Sequence, residues 1–97
     1  MIRREGERLI VAGPVNLANV AQVLAEGEAQ IRSGASAIDF GEVTELDSSL
    51  LAAALAWLRE ANREKRSLRF HRLPEGLLTM ARLYGVADLL PAVPAAH

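Results

Sequence analysis

Two serines directly after an aspartate, Asp47-Ser48-Ser49, are the residues whose types and spacing could do chemistry in this chain. A hydroxyl beside a carboxylate can become a nucleophile when a base removes its proton, or can accept a phosphoryl group from a kinase. The first role needs a general base within hydrogen-bond reach. Only His71 and His97 are available, and His97 sits in a Pro/Ala-rich end, "PAVPAAH". His71 could approach Ser48, with Asp47 or Asp39 as the orienting acid, yet no G-x-S-x-G elbow surrounds the serines. There is no Gly-rich phosphate loop and no cluster with metal-ligand spacing, so the sequence predicts neither an enzyme nor a cofactor. The second role needs only an accessible hydroxyl. A phosphate on Ser48 or Ser49 at a helix start would meet unpaired N–H groups, or, with Glu45 and Asp47 nearby, would repel an acidic partner.

The same three residues also make a good helix start, because Asp47 or Ser48 can accept from an unpaired first-turn N–H. Nine apolar residues follow, Leu50 to Leu58, and the spacing predicts a helix to about Lys65. At about 100° per residue, Leu51, Ala54, Leu55 and Leu58 share an arc that should face a sheet, flanked by Leu50, Trp57 and Ala61. The opposite side carries Ser49, Ala52, Ala53, Ala56, Arg59, Glu60 and Arg63. Its alanines either fill a solvent face with a good helix former or leave a smooth surface that another protein can approach, with Trp57 as an edge anchor or as core. On the second reading Ala53→Arg leaves the fold intact and abolishes binding.

The elements that must position this helix alternate. Leu9–Ala12 reads as a strand stopped by Gly13-Pro14. A helix capped by Asn16 follows, with Leu17, Val20, Leu24 and Ile31 on one side, Gly27 interrupting the stripe and Gly34 closing it. "SAIDFGEV" is the second strand, with Ile38 and Phe40 opposite Ala37 and Asp39. "SLRFHRL" is the third, placing Leu68, Phe70 and Arg72 on one face. A last helix opens at Pro74 and carries Leu77, Leu78, Ala81 and Tyr84 to Gly85, with one more turn over Val86–Leu90. Alternation of this kind predicts an α/β fold: a small mixed, mostly parallel sheet of about four strands, Met1–Arg4 supplying an edge, with helices on one face.

Composition narrows the class. Ninety-seven residues make one domain, and a formal net charge of -1 gives no pull toward nucleic acid or an anionic membrane. The absence of cysteine excludes disulfides and thiolate metal sites. No secretory or membrane-spanning run is present, so a cytoplasmic protein without direct membrane insertion is expected. The arginines of "REANREKRSLRFHR" are interleaved with Glu60 and Glu64 and read as a solvated face, though one that could attract an acidic patch.

From Ile38 to Leu58, "IDFGEVTELDSSLLAAALAWL" resembles the core of STAS domains, in which a strand leads into Asp-Ser/Thr-Ser/Gly/Ala-Gly-Leu at the start of a helix. "GERLIVAGPVNLANVAQVLAE" fits that family's opening strand and helix, and "ARLYGVADLLP" is similar to the closing segment of its MlaB-like branch. The resemblance covers Gly6 to Pro91. It implies a STAS domain over residues 1–91, a flexible tail over 92–97, and a non-enzymatic regulatory or assembly subunit. The implied partner is the MlaF-like ATPase of an MlaFEDB-type ABC phospholipid transporter serving outer-membrane lipid asymmetry, which would hold the subunit peripherally at the inner membrane. The implied contact is Asp47, Ser48, Ser49, Leu50, Ala53, Ala56 and Trp57. The alternative is an anti-sigma factor antagonist, phosphorylated by a serine kinase at Ser49, the second of the pair. Leu50 departs from the family's usual glycine, which counts against the kinase more than against binding. The isolated domain could also pair with itself through an exposed apolar patch.

Overall fold

The N-terminal residues do form an edge strand. In the computed structural model, which describes residues 1–92, β1 (Ile2–Glu5) pairs antiparallel with β2 (Arg8–Val15) across a two-residue turn. Gly6 takes the first turn position at φ 63°, a left-handed conformation that glycine adopts without a Cβ clash. β2 runs parallel to β3 (Ala37–Leu46), and β3 parallel to β4 (Arg69–His71), giving the order β1-β2-β3-β4. Helix α1 (Val20–Arg32) joins β2 to β3 and α2 (Ser48–Arg63) joins β3 to β4. Two right-handed crossovers that step the same way along a sheet place both helices on one face. Helix α3 (Glu75–Leu83) packs beside α2, and a single 3-10 turn (Ala87–Leu89) follows.

The sheet face under the helices is apolar. Leu9, Val11, Ile38, Phe40 and Phe70 are fully buried there, and Phe40 meets Phe70 edge to face at 5.2 Å. The helix-free face is covered by ion pairs instead. Asp39, 1% exposed, accepts from Arg72 at 2.8 and 2.9 Å and from Arg8 at 3.4 Å. Arg3 spans to both oxygens of Glu42 at 2.8 and 2.6 Å. Burial draws the Asp39 carboxyl upward, but hydrogen bonds from Arg72 and the Gly41 amide and the charges of Arg72 and Arg8 outweigh it and hold it below the ordinary value.

Several expectations are corrected. Gly13-Pro14 does not stop β2, because β1 has already ended opposite Val11 and no strand on that side needs the N–H that proline lacks. Gly13 takes φ 84°, and β3 gains an extra residue opposite that step and another near Gly41. Helix α1 starts at Val20 behind Asn19, not at Asn16. The Asn16 side chain accepts from the amides of Ala18 and Asn19 and folds a turn, which leaves Leu17 79% exposed rather than on the helix stripe. Arg72 does not share the apolar face with Phe70, since its left-handed backbone (φ 52°) turns it across Gly41 onto Asp39. Tyr84 caps α3 and is exposed. Ala92, assigned to the tail, pairs with Phe70, and the rest of that tail lies outside the described residues.

Candidate functional site

Strand β3 delivers the chain to Asp47, whose extended backbone (φ -131°, ψ -170°) caps α2. One carboxylate oxygen accepts the Ser49 amide at 2.9 Å and the Ser49 hydroxyl. The other accepts the amide of Leu17 at 3.1 Å, in the turn before α1. Asp47 thus holds the start of α2 against the chain entering α1. The Ser49 hydroxyl, the Ser49 amide and the Leu17 amide hold its carboxyl below the usual carboxylate range against a smaller upward pull of desolvation. The two serines therefore differ. Ser49 is half-buried with its hydroxyl committed to Asp47, while Ser48 is exposed and its hydroxyl makes no hydrogen bond among the described residues.

Beside this start lies an open groove of about 520 Å³ between α1 and α2. Leu17, Val20 and Leu24 form one wall. Ser48 and Ala52 stand at the mouth, Ala53 and Ala56 form the floor, and Arg59 lies along the same face of α2. A small-residue floor under apolar walls suits the docking of another protein's apolar side chains.

Of the implied contact residues, Asp47, Ser48, Ser49, Ala53 and Ala56 line this groove together, whereas Leu50 and Trp57 are 0% exposed and belong to the core. Trp57 is not an edge anchor. Its indole N–H donates to the Leu24 carbonyl at 3.1 Å, and the ring lies against Gly27, where an added Cβ would stand 2.4 Å from the indole nitrogen. Gly27 therefore does not interrupt α1's stripe; it is the point at which α1 seats on α2. Ala53 is 1% exposed, so Ala53→Arg is corrected from a surface probe to a disruption of the packing, and exposed Ala52 is the position that probes the face. Sequence reasoning missed the wall from Leu17, Val20 and Leu24. Its signal was the stripe that already put these three residues on one side of the first helix, which was not assigned to the site.

The pairing of His71 with Ser48 that a serine nucleophile would need does not form. His71 pairs with Asp39 near the beginning of β3, whereas Ser48 follows its end. At about 3.3 Å per residue the strand separates them by on the order of 20 Å. Burial and the charge of Arg8 also push His71 below the ordinary imidazole value. Among the described residues, no group of three acids or histidines is placed to hold a metal, and no helix is long and apolar enough to cross a membrane.

A family model described as "Mlab, STAS domain" matches residues 1–91. Comparison with curated proteins gives no match. Among solved structures, a chain of the Acinetobacter MlaFEDB complex in its ATP-bound Vtrans2 conformation is 25% identical with a TM-score of 0.78, over 91% of this chain and 95% of that one. The anti-sigma factor antagonist SpoIIAA in its unphosphorylated form is 16% identical (TM-score 0.70; 97% and 87% covered). The phosphorylated Bacillus form is 17% identical (TM-score 0.67; 97% and 90% covered). At these identities SpoIIAA shares the fold.

Proposed function

The chain belongs to the MlaB-type STAS domain family, and from that premise we propose that it is a non-catalytic subunit that binds the cytoplasmic ATPase of an MlaFEDB-type ABC lipid transporter. The carrying observation is the match to the MlaFEDB chain, at 25% identity with nine-tenths or more of both chains covered. The α1–α2 groove supports it, since it offers a smooth floor for an apolar insertion and an accessible hydroxyl, Ser48, at the mouth. A small domain of this kind acts by population shift: it favours whichever ATPase arrangement it binds more tightly. Cytoplasmic placement at the inner membrane, through the partner, follows from the same reading.

The test is affinity purification of the full chain from the native cell, wild type beside Ala52→Arg and Ser48→Glu, read by mass spectrometry. The ATPase and its membrane partners should accompany the wild type. Recovery should fall on the order of tenfold or more with Ala52→Arg, which places a charge over an apolar floor, while the melting temperature stays unchanged. Recovery of a serine kinase in place of the ATPase would overturn the proposal in favour of an anti-sigma factor antagonist switched at Ser49.

A further inference from the structure

A second groove lies toward the C-terminal end of α2, between that helix, the segment entering β4 and the final 3-10 turn, and it measures about 740 Å³. Its wall is apolar, formed by Leu55, Leu58, Leu68, Leu89 and Pro91, and Leu89 is 62% exposed. Arg59, Arg66 and Arg69 also line it, and among the described residues no carboxylate does. In sequence these arginines are interleaved with glutamates. In space neither Glu60 nor Glu64 lines the groove, and Glu60 turns inward, 5% exposed, to Arg63 and Arg32. Arg66 is engaged by the Ile31 carbonyl at 2.8 Å. Arg59 and Arg69 form no ion pair among the described residues, unlike Arg3, Arg8, Arg32, Arg63 and Arg72.

We propose that this groove takes a partner-protein segment whose apolar side chains are flanked by carboxylates, received by Arg59 and Arg69. The apolar wall selects side chains that gain by leaving water. A guanidinium presents paired N–H donors that match a carboxylate, and arginine is enriched among residues that dominate protein interfaces. Arg59 lines both grooves, so a protein docked in the first is placed to reach the second. A chain seated between α1 and α2 continues over Arg59 into the second groove without leaving the α2 surface. The inference rests on the first groove being a protein-docking face, and it adds the chemistry of the segment that follows.

The test places photoreactive benzoylphenylalanine in the full chain at position 62, an exposed lining residue of the second groove, or at position 52 in the first. Irradiation is done in the native cell, and the crosslinked peptides are sequenced. Position 62 should capture an apolar segment flanked by Asp or Glu, from the same protein that position 52 captures. Arg69→Glu should reduce the yield from position 62 on the order of tenfold and leave that from position 52 nearly unchanged. Crosslinking from 52 but not from 62 would overturn this inference and leave the docking face standing; silence at both would overturn both. Capture from 62 of a second copy of this chain, of its residues 93–97, of a lipid, or of a segment without acids would also overturn it.

Discussion

Ser48 and Ser49 are neighbours of identical type, yet the structure gives them separate work. Ser49 completes the cap by donating its hydroxyl to Asp47, while Ser48 is exposed and its hydroxyl has no partner among the described residues. Removing the cap should cost stability, and removing an uncommitted surface hydroxyl should not. Asp47→Ala should therefore lower the melting temperature by several degrees at neutral pH, Ser49→Ala by less, and Ser48→Ala by almost nothing. The acid limb carries the same information. The Asp47 pKa is lowered in the folded state from about 3.8, so its contribution is fully present above that value and is lost as pH falls through the folded pKa. Thermal melts across the acid range should show wild type and Asp47→Ala converging as pH drops below about 3.8, and a gap that stays undiminished down to the acid limit of folding would remove Asp47 from this role.

The pair α1 and α2 is the element that makes the candidate site, since each helix supplies one side of the groove. Their approach is set by Gly27 against the Trp57 ring, with the indole N–H on the Leu24 carbonyl. Alanine normally improves a helix by about 1 kcal/mol over glycine. Here a Cβ would stand 2.4 Å from the indole nitrogen, so either the ring or α1 must move. Overpacking of this kind costs about 1–3 kcal/mol, enough to outweigh the propensity gain. Gly27→Ala should be net destabilising in urea titration and should weaken ATPase recovery as well, because the groove wall moves with α1. Net stabilisation would show that the helices are not seated by this contact.

At the scale of the molecule the sheet has two unlike faces, one filled by helices and aromatic rings and the other closed by ion pairs. Asp39 and Arg72 hold the second face, and their exposures are unequal: side-chain values are 2% and 61%. Losing the carboxylate leaves an arginine that can still reach water. Losing the arginine leaves a carboxylate that cannot, with the Gly41 amide at 2.8 Å and Arg8 at 3.4 Å left to offset it. Arg72→Ala should therefore lower the melting temperature more than Asp39→Asn, although both remove the same pair. The reverse order, in paired thermal melts at neutral pH, would show that Asp39 is solvated from the open face. Arg72 also sits directly before the Leu73-Pro74 entry to α3.

The alternation of elements, the mixed sheet, the Asp47 cap and the family were legible in the sequence because each rests on local rules: hydrophobic period, turn residues, capping types and a contiguous motif. The sequence could also show that α2 is apolar nearly all round. It could not show why, because that depends on a neighbour far away along the chain. Trp57 and Ala53 are interior because α1, more than twenty residues upstream, closes over them through Gly27, a residue that local rules treat as an interruption. The left-handed turn of Arg72 onto Asp39 and the inward turn of Glu60 are of the same kind. Which arginine is paired and which is left facing a groove is decided by distances between elements, and only the tertiary structure sets those.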